Sequence, residues 1–324
     1  MTFFRTIAVF TLLSLALLVC PTLGTASTGD RAVHNRALHQ KSLRALHQKS
    51  LHIKKIKKLK TLKIRKGSPR HIKKAKKISQ RHRVARIAPP EAILLKDLTT
   101  GQLLFEQHAD QPMPPASLTK IMSALVILEE GNLEDLVTVS QRAASAGGTR
   151  LFLKAGQVLP LRGLLEAMLI RSANDACLAA AEHIGGDETA FVVKMNVTAK
   201  AIGLSRTKFQ NACGFDMEAH YSTAKDLALL TTYAMANDTF ASIVKEPDAV
   251  IYAVDQPEAF VVRTTNRLLG TVDGVVGVKT GYTRGAGRCL ITVVRRDGKE
   301  LLLVLLNARQ RWSTAQSMIE LWLR

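Results

Sequence analysis

The sequence predicts an α+β domain in which an antiparallel sheet is flanked by helices and a helical lobe is inserted between its strands. Two observations lead to this class. Short runs rich in leucine and β-branched residues stand at both ends of the region 87–324. Between them, apolar residues recur at helical spacing. The simplest assembly pairs an N-terminal hairpin with the C-terminal strands and packs the last helix on that sheet.

The N-terminal part of this region predicts a hairpin followed by helices. Strands are expected at 93–96 and 103–107, joined by a turn that ends at Gly101. Pro114 and Pro115 end the preceding segment, so a helix is expected over 117–130. Further helices are predicted over 161–170, 175–184, 188–202 and 223–236.

After residue 248 the pattern changes to strands. They are predicted over 250–254, 259–263, 275–279, 288–294 and 301–306. The last two flank a hairpin turn at 295–299, and a closing helix is expected over 313–323. A cleft between the edge of the sheet and the helical lobe is the expected place for a site.

Residues 1–26 are typical of a secretory signal peptide. Arg5 is followed by an apolar run over 7–19 and by small residues near 22–26. Two alternatives stay open: an uncleaved anchor helix, and lipidation at Cys20. In each case the rest of the chain is exported, and we expect it in the periplasm or cell envelope, with membrane association left open.

The charge is concentrated in residues 27–86, which we call the basic tail. The net charge of the chain is +20, with 21 Lys and Arg and no Asp or Glu between Arg31 and Arg86, so residues 87–324 are near −1. A fold that wraps nucleic acid would spread this charge through the domain, so nucleic acid is an unlikely partner. The domain boundary is predicted near Ile87.

The basic tail contains a tandem octapeptide, since residues 36–43 are repeated without change as 44–51. Apolar residues then follow three apart at 53, 56, 59 and 62. If helical, this part would form a cationic rod that suits an anionic membrane or an anionic wall polymer. The alternative is a solvated tether without a specific ligand, and like-charge repulsion favours disorder.

Once the leader is removed, Cys177, Cys213 and Cys289 remain. An odd number cannot pair completely within the chain, and none has the spacing of a metal site. We expect small buried residues. No metal or organic cofactor is implied.

Three short motifs carry the chemistry: Ser117-x-x-Lys120, Ser172-x-Asn174 and Lys279-Thr-Gly281. The first pattern occurs four times in the chain, and the other two occur once each. Residues three apart at the start of a helix share a face, which brings the Lys120 amine within reach of the Ser117 hydroxyl. The amine can take the hydroxyl proton only if burial or a neighbouring cation lowers its pKa, and Lys279 would be such a cation.

The other two motifs suit a polar substrate. Ser172 and Asn174 point the same way if their turn is extended; the alternative is a polar helix cap before Asp175. Lys279 and Thr280 would bind a carboxylate. Gly281 has no side chain, so a substrate could lie against its strand.

In this order and in their local context, the motifs resemble those of the serine D-alanyl-D-alanine carboxypeptidases, the low-molecular-mass penicillin-binding proteins. The resemblance runs from Ile93 to the C-terminus and implies a fold like that of β-lactamases and transpeptidases. It implies that Ser117, Lys120 and Ser172 are catalytic, with Ser172 relaying a proton to the leaving amine.

The same resemblance assigns substrate binding to Asn174, Lys279, Thr280, Gly281, Tyr282 and Thr283. Asn174 would hold the substrate amide and order Lys120. The amides of Ser117 and Tyr282 would form an oxyanion hole, and Thr283 would assist the carboxylate.

The implied reaction, in the catalytic domain 87–324, is removal of the terminal D-Ala from peptidoglycan stem peptides through an acyl-enzyme. β-Lactam antibiotics are the implied covalent inhibitors. No E-x-x-L-N-like segment lies between the second and third motifs, which argues against efficient β-lactam hydrolysis.

Two alternatives remain open. The first is that the protein is an endopeptidase that cleaves peptidoglycan cross-links. The family's usual β-rich second domain and C-terminal amphipathic anchor are not found before Arg324, and in this the chain resembles the single-domain D,D-endopeptidases. The second alternative is a non-catalytic wall-binding protein on the same fold.

Overall fold

An antiparallel sheet organises the part of the chain that the computed structural model describes, residues 91–254 and 257–323. Its strand order is β2-β1-β9-β8-β7. The strands of these residues are β1 (Ala92–Asp97), β2 (Leu103–Gln107), β3 (Leu136–Thr138), β4 (Val158–Pro160), β5 (Asp248–Tyr252), β6 (Ala259–Arg263), β7 (Val275–Thr283), β8 (Gly287–Arg296) and β9 (Lys299–Leu306). β7 is therefore an edge strand.

Helices fill the sequence between β2 and β5 and follow β9. They are α1 (Lys120–Glu130), α2 (Gln141–Ala144), α3 (Leu161–Glu166), α4 (Asn174–Gly185), α5 (Glu188–Ala201), α6 (Ala224–Met235), α7 (Asp238–Val244) and α8 (Arg311–Trp322). A 3₁₀ turn over Ala116–Thr119 precedes α1, and a π-helical turn over Ala167–Arg171 follows α3.

The large sheet is covered on both faces. Alternate residues of a strand point to opposite faces. Leu94 and Val304 belong to the main core with the helical lobe, whereas Leu95 and Leu305 pack in a second cluster with Ile319 of α8. Burial on both sides explains why β8 and β9 read as continuous apolar runs.

Helix α1 runs through the middle of the main core. Every residue from Lys120 to Ile127 is buried. Lys120, the first residue of this helix, is therefore enclosed by protein.

The predicted pairing of the N-terminal hairpin with the C-terminal strands is confirmed for β1, β2, β7, β8 and β9. It is wrong for residues 250–254 and 259–263, because β5 and β6 pair only with each other. Each of these two strands buries a single side chain, Ile251 or Val262, so neither has the two apolar faces of the main sheet.

The local assignments differ in a few places. The helix predicted over 161–170 is divided into α3 and the π-helical turn, and the strand predicted over 275–279 continues to Thr283. The short elements β3, β4, α2 and α7 were not predicted. Their apolar patterns span only three to seven residues.

All three cysteines are buried, as expected, and two of them are also joined by a disulfide that was not predicted. Cys177 of α4 and Cys213 form a disulfide, with Cα atoms 6.0 Å apart, inside the range that the bond allows. Cys289 is unpaired and buried, and burial raises its thiol pKa to about 11.

The predicted signal peptide, residues 1–26, and the basic tail, residues 27–86, lie outside the described residues. Within 91–254 and 257–323, none of the helices combines the length and apolar character needed to cross a bilayer.

Candidate active site

Ser117 lies in the 3₁₀ turn that leads into α1, where the sequence analysis placed it. The preceding residue, Ala116, has a left-handed backbone with φ of +49°. Such a conformation costs energy in a residue with a side chain, and it is typical of sites where the surrounding structure fixes the backbone. The Ser117 side chain is partly exposed, so a ligand can reach it.

The Lys120 amine is completely buried and has three oxygen neighbours. Its Nζ lies 3.2 Å from Oγ of Ser117, 2.7 Å from Oδ1 of Asn174 and 2.6 Å from the carbonyl oxygen of Cys213. The predicted contact between Ser117 and Lys120 is therefore present.

The environment lowers the pKa of Lys120 well below the usual lysine value. The main cause is burial, the Lys279 cation lowers the pKa further, and Asp175 opposes them. A lysine whose pKa is lowered in this way loses its proton more readily than a solvated lysine, which allows it to act as a base.

Ser172 and Asn174 stand on either side of a sharp backbone change. Ser172 has a left-handed φ of +66° after the π-helical turn, and Asn174 is the first residue of α4. The residue at the cap position is Ala173, without a side-chain cap bond, so the alternative of a polar helix cap is wrong.

Asn174 connects the Lys120 amine with the wall of the cleft. Its Nδ2 donates to the carbonyl oxygen of Gly147 at 2.6 Å, and its backbone N–H donates to the carbonyl oxygen of Thr149 at 2.8 Å. The side chain thus has its two polar ends fixed, with Oδ1 turned to the amine.

Asp175 is a site-supporting residue that the sequence analysis did not find. It is fully buried, and its Oδ2 accepts hydrogen bonds from the backbone N–H groups of Leu151, at 2.9 Å, and of Leu153, at 3.1 Å. These bonds hold the segment 149–153, one wall of the cleft, against α4.

Lys279 and Thr280 lie in β7 behind the accessible surface. The Lys279 amine is buried and donates to the carbonyl oxygen of Thr280 at 3.0 Å. Burial, with a smaller effect of Arg311, lowers its pKa to about 7. The hydroxyls of Thr280 and Thr265 are hydrogen-bonded at 2.6 Å.

Gly281 lies close to the turn that carries Ser117, which the sequence analysis did not predict. A Cβ atom there would lie 3.1 Å from Cβ of Ala116 and 3.2 Å from the backbone nitrogen of Ser117. The space is occupied by the turn that carries Ser117, so the glycine allows β7 and this turn to approach each other.

Tyr282 and Thr283 continue β7 into the cleft. Tyr282 is 65% exposed, and the Thr283 hydroxyl donates to Oδ1 of Asp216 at 2.5 Å. Asp216 also accepts from the backbone N–H of Gly285 at 2.9 Å. The Thr283 side chain is therefore held by a carboxylate.

An open cavity of about 650 Å³ joins these groups. Of the predicted site residues, four line it: Ser117, Asn174, Tyr282 and Thr283. The other five are buried and are not among its lining residues: Lys120, Ser172, Lys279, Thr280 and Gly281. The other lining residues include Arg150, Phe152, Arg171 and Phe215. The described ranges contain no cluster of His, Cys, Asp or Glu suited to a metal ion.

The site has a serine hydroxyl beside a buried lysine amine, and it lies between the edge of an antiparallel sheet and a helical lobe. This combination is typical of proteins with the DD-peptidase fold. The family model described as D-alanyl-D-alanine carboxypeptidase matches residues 75–310, and the chain belongs to this family. The predicted family and α+β fold class are confirmed.

Individual relatives agree with this assignment. D-alanyl-D-alanine carboxypeptidase DacF of Bacillus subtilis is 34% identical over 223 residues, which cover 67% of this chain and 57% of DacF. The chain spans little more than half the length of the curated relatives it matches first.

Two solved structures are similar in fold. The Streptomyces K15 DD-transpeptidase matches with a TM-score of 0.64 and 30% identity, covering 68% of this chain and 93% of that one. Penicillin-binding protein D2 of Listeria monocytogenes, in an ampicillin-bound form, matches with a TM-score of 0.64 and 30% identity, covering 72% and 97%.

Proposed function

We propose that this protein is a serine D,D-carboxypeptidase that removes the terminal D-Ala from peptidoglycan stem peptides through an acyl-enzyme on Ser117. The observation that carries the proposal is the buried Lys120 amine, 3.2 Å from the Ser117 hydroxyl and 2.7 Å from Asn174. Family membership gives the reaction class.

The proposed acylation begins with a neutral Lys120 amine. Such an amine has two N–H donors and one lone pair. The acceptors on Asn174 and Cys213 take the two N–H groups, which leaves the lone pair for the Ser117 hydroxyl proton. As Ser117 Oγ attacks the carbonyl carbon between the two D-alanines, its proton passes to Nζ of Lys120.

The tetrahedral intermediate then collapses. The C–N bond breaks, Ser172 relays a proton to the departing amine of D-Ala, and the acyl group stays on Ser117. Water attacks the ester and releases the trimmed stem peptide. The backbone N–H groups of Ser117 and Tyr282 are proposed to bind the oxyanion, since the close approach at Gly281 brings their chain segments together.

Substrate recognition is proposed to use the edge strand β7. An extended peptide can add to an open sheet edge through its backbone. Lys279 and Thr280 supply positive charge and a hydroxyl for the terminal carboxylate. No carboxylate residue is among those that line the cavity at Ser117, while Arg150 and Arg171 are. This balance suits an anionic peptide.

β-Lactam antibiotics are proposed as covalent inhibitors that acylate the same serine. The similarity to the ampicillin-bound Listeria protein supports this proposal. Because no glutamate stands in the position that the resemblance requires for activating a deacylating water, the adduct should be long-lived.

The test is release of D-Ala from a synthetic stem peptide by the wild-type chain and by the Ser117→Ala variant. The wild type should release D-Ala, and the variant should lose this activity while keeping the same circular-dichroism spectrum. Turnover by the variant would reject the assignment. Preferential cleavage of a cross-linked dimer would favour the endopeptidase alternative.

The basic tail is proposed to retain the exported enzyme at an anionic membrane or wall polymer. The dense positive charge of the tail supports this proposal, because it attracts anionic surfaces. Salt screens such attraction, so retention should weaken as the salt concentration rises. Deleting residues 31–86 should release the enzyme from the envelope fraction at moderate salt. Unchanged partitioning of the deletion variant would contradict the proposal.

A further inference from the structure

We propose that the Cys177–Cys213 disulfide positions the Lys120 amine. The bond links the two chain segments that supply hydrogen-bond acceptors to this amine, the segment of Asn174 and the segment of Cys213. This inference rests on the proposed function, because it concerns the base of that reaction.

The disulfide joins two segments that meet at Lys120. Cys213 contributes its own carbonyl oxygen, 2.6 Å from Nζ. Cys177 lies three residues after Asn174 in α4, and Asn174 places Oδ1 2.7 Å from the same atom. The bond between the sulfur atoms therefore fixes the spacing of these two acceptors across the amine.

The segment around Cys213 has the geometry of a held loop. Oδ1 of Asn211 accepts hydrogen bonds from the backbone N–H groups of Cys213, Gly214 and Phe215, at 3.2, 2.7 and 3.0 Å. These bonds shape the loop but do not link it to α4. The disulfide supplies a covalent link.

The segment also touches the turn that carries Ser117. A Cβ atom on Gly214 would lie 1.9 Å from the carbonyl oxygen of Ala116 and 2.9 Å from the backbone nitrogen of Ser117. A small movement of Cys213 thus changes the surroundings of the amine and the hydroxyl together.

The chain has other anchors that should preserve folding without the disulfide. The carbonyl oxygen of Ala212 accepts a hydrogen bond from the Ser123 hydroxyl at 2.6 Å. The backbone N–H of Ala212 donates to the Glu188 carboxylate at 2.9 Å. These contacts hold the residue before Cys213 against α1 and α5. The expected consequence of losing the disulfide is local loosening of the acceptors around Lys120.

Charges around the amine give a sign for the effect. Lys279 from β7 and Asp175 from α4 act on the pKa of Lys120. Asp216, three residues after Cys213, is hydrogen-bonded to Thr283. His220, whose ring is hydrogen-bonded to Thr119, has a pKa lowered to about 4 by burial. We expect these groups to stay in place when the disulfide is lost. Entry of water reduces the burial that keeps the Lys120 pKa low, so that pKa should rise.

The test compares wild type, the double variant Cys177→Ala/Cys213→Ala and the control Ile319→Ala. Ile319 is a buried residue of the second core cluster, on the α8 face of the sheet, so its truncation lowers stability without touching the acceptors of Lys120. A second control, Cys289→Ala, removes the buried unpaired thiol.

The measured quantity is the second-order rate constant of acylation by benzylpenicillin per titrated active site, from pH 5 to 10. The double variant should acylate about 10- to 100-fold more slowly, with the rising limb of its pH profile at higher pH. Both controls should keep the wild-type rate constant and profile. Equal rate constants and profiles in wild type and double variant would overturn the inference.

A readout independent of acylation separates this inference from the proposed function. If wild type forms no adduct on Ser117, the proposed function fails, and crystal structures of wild type and double variant still decide the inference. It requires the distance from Lys120 Nζ to the Cys213 carbonyl oxygen to lengthen beyond hydrogen-bonding range. A distance unchanged from 2.6 Å would contradict it.

Discussion

Nζ of Lys120 and Oδ1 of Asn174 lie 2.7 Å apart, although 54 positions separate the two residues in sequence. The contact joins the first residue of α1 to the first residue of α4. It places a neutral amide oxygen, not a carboxylate, next to a buried amine. An amide accepts a hydrogen bond from the amine without the negative charge that would keep the amine protonated.

Replacing Asn174 with alanine should slow acylation by benzylpenicillin by about 10²-fold or more, because the base loses its orientation. The measurement is the acylation rate constant per active site. Asn196→Ala is the matched control, since this asparagine also bonds backbone carbonyls, those of Val192 and Phe209, without lining the cavity. Equal rate constants for Asn174→Ala and Asn196→Ala would argue against a role for the contact.

Replacing Lys279 with glutamine should move the rising limb of the acylation pH profile to higher pH. The neutral form of Lys120 is the base, so the rate rises with pH through its pKa, and removing the neighbouring cation raises that pKa. The pH of half-maximal rate is the readout, since Lys279 is also proposed to bind substrate. Lys225→Gln, in an exposed ion pair with Asp110, is the control. A midpoint that stays in place or falls would contradict the coupling.

Lys279 should also make folding stability depend on pH. Its folded pKa of about 7 lies below the ordinary 10.5, so between these values the unfolded chain binds more protons and stability rises with pH. Lys279→Met removes this effect. The free energy of unfolding of this variant, minus that of wild type, should be largest near pH 7 and should decline toward pH 10.5. A difference that does not change with pH would refute the lowered pKa.

Gly214→Ala should disrupt the site far more than Gly186→Ala does. Both glycines have left-handed backbones, with φ of +87° and +78°. A Cβ atom at Gly186 meets open space, whereas at Gly214 it meets the carbonyl oxygen of Ala116. We expect Gly186→Ala to cost about 1 kcal/mol from backbone strain. Gly214→Ala should lose more stability than this and should also lose acylation by benzylpenicillin. If the unfolding curves of Gly214→Ala and Gly186→Ala were similar, the close approach of Gly214 to Ala116 would be unimportant.

Much of the site could be predicted because its chemistry resides in side chains at short spacing. Ser117 and Lys120 share a helical turn, and Lys279 to Thr283 lie along one strand, so local geometry relates them. Long apolar runs likewise predicted β8 and β9, where burial on both faces leaves a strong signal.

The parts that could not be predicted depend on tertiary contacts. The acceptor at Cys213 is a backbone carbonyl, which any residue carries. Asp175 acts on backbone N–H groups of a distant loop. The disulfide was not predicted because an odd number of cysteines does not show which two of them pair; only the folded chain brings Cys177 and Cys213 together.

The central claim is tested most directly by mixing the chain with benzylpenicillin, measuring the intact mass and mapping any adduct by peptide digestion. The account predicts one long-lived adduct per chain, located on Ser117. Rapid consumption of the drug without an adduct would indicate a β-lactamase. An untouched drug and an unmodified protein would contradict the acyl-serine site.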